Sequence, residues 1–212
     1  MNVVVFGSGT SLGREVVTDL VFRGHSVTAV AGVLAQVPEQ WADRVELRAG
    51  DPADGQLVDA AVAGNEVVLD VLGDCRGGRA VEHSVAVTRQ IVESMDRHGR
   101  SRYIGLRPDV LLRAPGRRAS WAGLVGLPGP GGRSRTRRAV VDAFEAVVRS
   151  PLSWTIVRCP GLTDGPSRGI RHVGMTRRDA VGPSVTRTDA ARFLAAQVLE
   201  TSYVCAAPAI SN

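Results

Sequence analysis

Lysine is absent from this chain of 212 residues, so all 26 basic side chains are arginines. The absence excludes every mechanism that needs a side-chain amine: Schiff-base chemistry, the phosphate-binding lysine of a P-loop, and a Tyr-x-x-x-Lys proton relay. Any catalysis by this chain must therefore rely on other groups.

Aromatic residues, cysteines and long apolar runs are also scarce. Aromatics make up 4% of the chain, so the core must consist mainly of Val, Leu, Ala and Ile. Cys75, Cys159 and Cys205 are too widely spaced for a disulfide framework or a CxxC metal site, which favours a reducing compartment. No run of about 18 apolar residues could span a bilayer, and the first residues do not resemble a signal peptide. We therefore expect a cytoplasmic protein of one domain spanning residues 1–212, without a metal site or a membrane contact.

The chain carries a formal net charge of +5. Such a balance suits nucleic acid, acidic lipid or a phosphorylated ligand, but a GC-rich coding bias toward arginine produces it as well. No patch of interleaved basic and aromatic residues accompanies the charge, so we do not expect nucleic-acid binding. The expected partner is a small-molecule substrate, anionic or aromatic in character, and the expected assembly is a monomer or a homodimer.

Short apolar runs alternate with amphipathic helical patterns along the chain. The first run, residues 3–6, is followed by a helical period of Leu12, Val16 and Leu20 that ends at Gly24. Further strands are predicted at 26–31, 45–49, 66–72, 102–106 and 153–157, and further helices at 53–63, 81–95, 140–148 and from Thr186 onward. This alternation predicts an α/β fold: a doubly wound, Rossmann-like, mostly parallel sheet of about six strands with helices on both faces.

The segment 107–138 departs from this pattern. It is rich in arginine, glycine and proline, and Asp109 is its single acidic residue. Because it follows the fifth strand, it begins at the carboxyl edge of the sheet, where ligands bind in such folds. A connection of this length is either a functional lid or a mobile linker, and both interpretations remain open.

A glycine-rich turn follows the first strand and opens the first helix. Gly7 permits a tight turn, Gly9 lets a phosphate approach the backbone, and Gly13 lets the helix lie close to the sheet. The free amides of the helix and the positive end of its dipole face this turn, and two hydroxyls add donors. The turn is therefore a predicted anion site, with a turn that binds no ligand as the alternative. The predicted contacts are Gly7, Gly9, Thr10, Ser11, Leu12 and Gly13.

The end of the second strand bears on the choice between NAD and NADP. An acid there would bind a ribose 2′-hydroxyl, and an arginine would bind a 2′-phosphate, but the sequence reads Val30-Ala31-Gly32-Val33. Arg14, just after the glycine turn, is the nearest basic candidate for a phosphate; the alternative is a solvated helix residue. The position of Arg14 favours NADP over NAD.

Six stretches of sequence carry a family resemblance. They are residues 4–13, 24–30, 50–54, 67–73, 152–166 and 184–191, and the most distinctive contains Trp154-Thr155-Ile156-Val157-Arg158. Together they resemble the atypical short-chain dehydrogenase/reductases, specifically the NAD(P)H-binding, NmrA-like group that includes biliverdin reductase B and flavin reductase-like proteins. The resemblance runs nearly from end to end of the chain.

The resemblance implies a dinucleotide that lies across the carboxyl edge of the sheet, with its pyrophosphate in the glycine turn. The further contacts that it implies are Asp51 and Pro52 beside the adenine, Leu72 and Gly73 close to the adenosine ribose, and Cys159, Pro160 and Leu162 near the nicotinamide.

Several positions depart from the family pattern. Gly9 and Thr10 stand where the family has Thr and Gly, the fifth strand ends without its usual Ser, and Gly161 replaces a His of some members. The usual proton donors are therefore missing, and a missing general acid costs about 10²–10⁴ in rate. The candidate replacements are His172, after the sixth strand, and His83, near the start of a helix; ordinary surface histidines are the alternative.

Three functions fit these observations. The first is an NAD(P)H-dependent oxidoreductase that passes hydride to a planar conjugated acceptor, quinone-, flavin- or polyketide-like, for which cofactor positioning supplies most of the catalysis. The second is a redox-silent NAD(P)-binding regulator. The third is a non-redox enzyme (an isomerase, cyclase or dehydratase) that uses His172 or His83 as acid or base. A methyltransferase is disfavoured because no acid follows the second strand.

Overall fold

The computed structural model describes residues 1–32, 38, 41, 44–74, 78–108, 135–175 and 179–212. Strands and helices alternate along most of this length, as the sequence predicts. The strands are β1 (Asn2–Phe6), β2 (Ser26–Ala31), β3 (Val45–Ala49), β4 (Val67–Asp70), β5 (Arg102–Pro108), β6 (Ser153–Cys159), β7 (Leu162–Thr163), β8 (His172–Gly174), β9 (Val185–Thr186) and β10 (Ala209–Ser211). The α-helices are α1 (Ser11–Phe22), α2 (Gly55–Ala63), α3 (Gly78–Arg97), α4 (Arg135–Arg149) and α5 (Arg187–Ala196).

One large sheet has the strand order β3-β2-β1-β4-β5-β6-β10-β8. The first seven strands in this order run parallel, and β8 is antiparallel to β10. The predicted Rossmann-like fold is confirmed, but the expected count of about six strands is too low. The additional strands β10 and β8 extend the sheet beyond β6, and a separate pair is formed by β7 and β9.

Helices cover both faces of the sheet, as a doubly wound fold requires. On one face the apolar side chains of α1 and α5, among them Leu12, Val16 and Leu194, pack against alternate residues of the strands. On the other face α2, α3 and α4 supply residues such as Val58, Ile91 and Phe144. Val, Leu and Ala dominate both clusters, in line with the low aromatic content. None of the described helices has the length and apolar character needed to cross a membrane.

Two predicted boundaries are corrected by the structure. The fourth strand ends at Asp70 rather than at residue 72, because residues Leu72–Asp74 form a 3-10 turn whose first amide, that of Leu72, donates to the Asp70 carboxylate. The segment 107–138 is not one continuous connection. Arg107 and Pro108 belong to β5, and residues 135–138 belong to α4. The remainder, 109–134, lies outside the described residues, so both the lid and the linker stay predictions.

Candidate functional site

The glycine turn between β1 and α1 is held in a compact shape. Gly7 has a φ of +88°, a conformation that favours glycine. A Cβ atom on Gly13 would lie 2.1 Å from the Gly7 carbonyl oxygen, so only glycine lets α1 begin this close to β1. These two glycines therefore fix the path of the backbone at the carboxyl end of the strand.

Thr10 closes the turn as the N-cap of α1. Its Oγ1 accepts a hydrogen bond from the Gly13 amide at 3.0 Å and donates to the Gly7 carbonyl at 2.9 Å. The Thr10 amide also donates to Gly7, at 3.0 Å. The Thr10 hydroxyl proton is thus directed into the turn, which makes this residue a cap more than a ligand donor.

Three amides of the turn have no acceptor among the described residues. Within the described part of the chain, the N–H groups of Gly9, Ser11 and Leu12 have no hydrogen-bond partner, and two of them belong to the first two residues of α1. Among the described residues, a Cβ on Gly9 would meet the Cβ of Ala31 alone, at 3.6 Å, so none of these residues closes the turn at this point. Unpaired amides at a helix N-terminus attract an anion, and the cradle accordingly fits a diphosphate.

Arg14 places positive charge beside this cradle. Its Nη1 donates to the Gly9 carbonyl at 2.9 Å, which brings the guanidinium back from α1 toward the turn. Since Gly9 lies next to Ala31 at the end of β2, the guanidinium is close to the part of a Rossmann fold where a 2′-phosphate would sit.

The 3-10 turn after β4 forms the next wall of the edge. A Cβ on Gly7 would lie 3.2 Å from the Leu72 side chain, and a Cβ on Gly73 would lie 2.1 Å from the Leu106 carbonyl oxygen. Leu72 and Gly73 are therefore wedged between the glycine turn on one side and β5 on the other. The two residues implied for the ribose do lie beside the cradle.

A buried polar cluster around Asp70 contacts the 3-10 turn. Asp70 is fully buried, and its Oδ2 accepts hydrogen bonds from Thr88 Oγ1 at 2.7 Å, Tyr103 Oη at 2.8 Å and Arg107 Nη2 at 2.8 Å. Burial alone would raise the pKa of Asp70, but the Arg107 charge and the donated hydrogen bonds outweigh it and hold that pKa below its ordinary value. This cluster was not predicted from the sequence, although an Asp within an apolar run indicates a buried partner.

Tyr103 and Tyr203 are the two tyrosines of the chain, and neither is placed to protonate a substrate. Tyr103 is fully buried and donates to Asp70; burial above all raises the pKa of its phenol well above the ordinary value. The ring of Tyr203 packs against Phe193 of α5, with 5.7 Å between the ring centroids.

Asp51 and Pro52 follow β3 and precede α2. Asp51 Oδ1 accepts from the Ala53 amide at 2.8 Å and lies 3.3 Å from His83 Nε2. Both side chains are exposed, with fractions of 66% for Asp51 and 41% for His83. His83 therefore faces the side of the edge predicted for the adenine, not the side predicted for the nicotinamide.

The residues predicted near the nicotinamide lie at the end of β6 and just beyond it. Cys159 is 4% exposed, while Pro160 and Leu162 are half-buried. Leu162 starts β7 and pairs with Val185 of β9. These three residues extend the carboxyl edge beyond β5, where the resemblance places the reactive end of a dinucleotide.

His172 lies further out, on the last strand of the sheet. It is exposed and pairs with Ser211 of β10. His83 lies beside Asp51, in the loop after β3, whereas His172 lies on β8. β3 and β8 are the two outer strands of the sheet, about 30 Å apart at the usual strand spacing. The structure does not bring the two histidines together, so they cannot act as one acid–base pair.

Comparison with known proteins identifies the family. A family model described as NAD(P)H-binding matches residues 7–201. No curated protein matches the chain. Among solved structures, the oxidoreductase YlbE from Lactococcus lactis superimposes with a TM-score of 0.76 at 16% identity, over 100% of this chain and 91% of that one.

Two other structures are similar. A short-chain dehydrogenase/reductase from Veillonella parvula, solved in complex with NADP, has a TM-score of 0.73 at 15% identity and covers 100% of this chain and 94% of that one. The anaerobilin reductase ChuY from Escherichia coli O157:H7 has a TM-score of 0.73 at 18% identity, with 100% and 97% covered. At such identities the likeness shows the fold. The family model covers far more than half of the sequence and confirms the resemblance: this chain belongs to the NAD(P)H-binding family.

Proposed function

We propose that the protein is an NAD(P)H-dependent reductase of planar conjugated acceptors. The observation that carries the proposal is the set of amides at Gly9, Ser11 and Leu12, which lie at the carboxyl end of β1 and have no partner among the described residues. A diphosphate would satisfy all three and would lie on the helix dipole of α1.

The remaining contacts follow the edge outward from this cradle. Asp51 and Pro52 would lie beside the adenine, and Leu72 and Gly73 would lie under the adenosine ribose. Cys159, Pro160 and Leu162 would shape the pocket for the nicotinamide. We favour NADP over NAD because the Arg14 guanidinium lies near the end of β2, and the NADP complex of the Veillonella parvula neighbour supports this choice.

Bound NAD(P)H supplies a hydride from its nicotinamide ring. The chain's own part is to position the cofactor, because Tyr103 is buried and both its phenol and the Arg107 guanidinium are held by Asp70. A general acid contributes about 10²–10⁴ in rate, which simple ketones need. Acceptors such as quinones and flavins can do without it, since their reduced forms are stable anions or delocalised rings and take a proton from water.

A nucleotide titration followed by an acceptor assay tests the proposal. The fluorescence of NADPH and of NADH is followed as protein is added, and quinone or flavin acceptors are then supplied. We expect binding, tighter for NADPH, and oxidation that depends on the acceptor. Binding without oxidation of any acceptor would contradict the reductase and favour the redox-silent regulator. Failure to bind either nucleotide would contradict the site itself.

A further inference from the structure

The Asp70 carboxylate divides its two oxygens between different tasks. Oδ1 accepts the amide of Leu72 at 3.1 Å and so defines the start of the 3-10 turn. Oδ2 accepts all three side-chain donors, from α3 (Thr88) and β5 (Tyr103 and Arg107). One buried side chain thereby connects the turn beside the cradle to the neighbouring strand and to the helix that covers it.

Arg107 is directed into the protein, although it lies at the end of β5 where a ligand could be contacted. It is 6% exposed; Nη1 donates to the Leu106 carbonyl at 2.6 Å, and Nη2 donates to Asp70, Thr88 and Tyr103. The guanidinium and the carboxylate together are neutral. Arg107 is consequently unsuited to attract an anionic substrate, and its effect must pass through Asp70.

The turn that Asp70 holds has little freedom to move independently. Leu72 contacts Gly7 of the cradle, and the Gly73 backbone lies against the Leu106 carbonyl and within reach of Arg107 Nη1. The turn therefore lies between the cradle and the end of β5. A change in the Asp70–Arg107 pair would alter the backbone of this turn without touching any cradle residue.

We propose that Asp70 and Arg107 are positioning residues for the cofactor: the pair fixes the Leu72–Gly73 backbone at the place where the adenosine ribose crosses the edge. The inference rests on the proposed function, because it concerns the cofactor that the cradle would hold. It adds two residues that neither the family resemblance nor the sequence analysis assigns to the site.

The test compares the two arginines at opposite ends of β5. Arg102, at the amino end, donates to the carbonyls of Ser153 and Gln197 and lies about 17 Å along the strand from Arg107. Arg107→Met and Arg102→Met are each examined for melting temperature, for the dissociation constant of NADPH, and for amide hydrogen exchange of residues 71–74. The double variant Asp70→Asn/Arg107→Met removes both charges but keeps an acceptor for the Leu72 amide.

At temperatures well below the melting temperature of the variant, we expect Arg107→Met to weaken NADPH binding about tenfold and to accelerate amide hydrogen exchange in residues 71–74. Arg102→Met should lower the melting temperature while its NADPH affinity stays within about twofold of wild type. The double variant should recover most of the affinity. Should Arg107→Met fail to fold, Asp70→Asn/Arg107→Met is compared with Asp70→Ala/Arg107→Met, which lacks the acceptor and should bind NADPH about tenfold more weakly.

Wild-type affinity and exchange in Arg107→Met would overturn the inference, and so would equal losses in Arg107→Met and Arg102→Met. Equal affinities in the two double variants would overturn it as well. A wild-type chain that binds neither NADPH nor NADH would overturn the proposed function, and this inference with it. A wild type that binds while every variant binds equally well would overturn the inference alone.

Discussion

Two loops of this protein carry neighbouring backbone amides that an anion could accept from, but the chain supplies the anion in only one of them. In the loop Ser167–Gly169, the amides of Arg168 and Gly169 donate to the Asp189 carboxylate of α5 at 2.8 and 3.2 Å. In the turn between β1 and α1, the amides of Gly9, Ser11 and Leu12 have no acceptor among the described residues. The chain itself supplies the acceptor in the first loop, whereas the described residues supply none in the second.

In the Asp189 loop the backbone amides stabilise the fold, whereas in the glycine turn we expect them to bind a ligand. Asp189 is 3% exposed, and its internal bonds hold a loop that otherwise has no regular structure. The glycine turn is held instead by Gly7, Gly13 and the Thr10 cap, so its remaining donors are free to bind a ligand without any loss of shape. The variants below should affect stability at the first loop and binding at the second.

Loss of the internal anion should have the largest effect. Asp189→Ala would leave five donors without their acceptor, and we expect it to lower the free energy of unfolding by about 4 kcal/mol, measured by urea denaturation. The donors are Ser167 Oγ, the Arg168 and Gly169 amides, Thr186 Oγ1 and Asn212 Nδ2. Asp164→Ala is the control, because among the described residues this exposed carboxylate pairs with Arg187 alone, and its loss should cost less than about 1 kcal/mol. Equal costs would contradict the structural role of Asp189.

Gly13→Ala should have the next largest effect. The added Cβ would meet the Gly7 carbonyl oxygen at 2.1 Å, so α1 must move away from β1 at a cost of about 3 kcal/mol, and the cradle should lose NADPH binding. Gly64→Ala at the end of α2 is the matched control, since its Cβ would come no closer than 3.9 Å to another atom. Thermal unfolding of both variants checks the expectation, and an unchanged melting temperature for Gly13→Ala would contradict the described turn.

The Asp189 loop should also show a characteristic dependence on pH. Burial raises the pKa of Asp189, but the hydroxyls of Ser167 and Thr186 and the two loop amides outweigh it and lower the pKa from 3.8 to about 2. Because the folded pKa is depressed, the stabilisation is complete above pH about 5 and is lost as the pH falls through 2. The difference in unfolding free energy between wild type and Asp189→Asn should shrink by about 1 kcal/mol at pH 3 and about 2 kcal/mol at pH 2. A difference that does not change with pH would refute the assigned bonds.

At the glycine turn, Gly9→Ala should affect binding and not stability. Among the described residues, its Cβ would have only an ordinary contact with Ala31, at 3.6 Å, but it would lie where a phosphate is expected to approach the backbone. We expect the dissociation constant of NADPH to rise about tenfold or more, as for the loss of one hydrogen bond to a charged group, while the melting temperature stays within a degree or so. Unchanged affinity in the folded variant would show that phosphates do not approach Gly9.

Arg14→Met should have the smallest effect of the series. The guanidinium is half-buried and hydrogen-bonded to Gly9, so its contribution to phosphate binding is that of a partly screened charge. The affinity for NADPH should fall about threefold to fivefold, and the affinity for NADH should change less if the contact is to the 2′-phosphate. Parallel titrations with both nucleotides at two salt concentrations check this. An equal loss for NADH would assign Arg14 to the diphosphate instead.

Much of the fold followed from apolar patterning. The bounds of β1 to β6 were predicted to within two residues. β1, β2 and β4 form nearly continuous apolar runs, as buried parallel strands do, whereas β3 alternates apolar and polar residues. β8 and β10 were missed for a physical reason. Each has three residues, and polar side chains such as His172 and Ser211 interrupt the pattern, so their pairing depends on the completed sheet.

In the candidate site, too, one part could be predicted from the sequence and another could not. The glycine turn is local, and its spacing alone indicated where the amides would point. The Asp70–Arg107 pair joins residues 37 positions apart, and the position of Arg107 next to an arginine-rich segment suggested a solvated residue rather than a buried one. Only the pairing of β4 with β5, which brings Asp70 opposite Gly105, shows that the two side chains meet.

The most direct test of the cradle is a ¹H–¹⁵N correlation spectrum recorded as NADPH is added to the ¹⁵N-labelled protein. We expect the largest amide shifts at Gly9, Ser11 and Leu12, and little change at Arg168 and Gly169, whose amides already bond to Asp189. Saturating NADPH that leaves Gly9, Ser11 and Leu12 unshifted would contradict the assignment of the glycine turn as the diphosphate site.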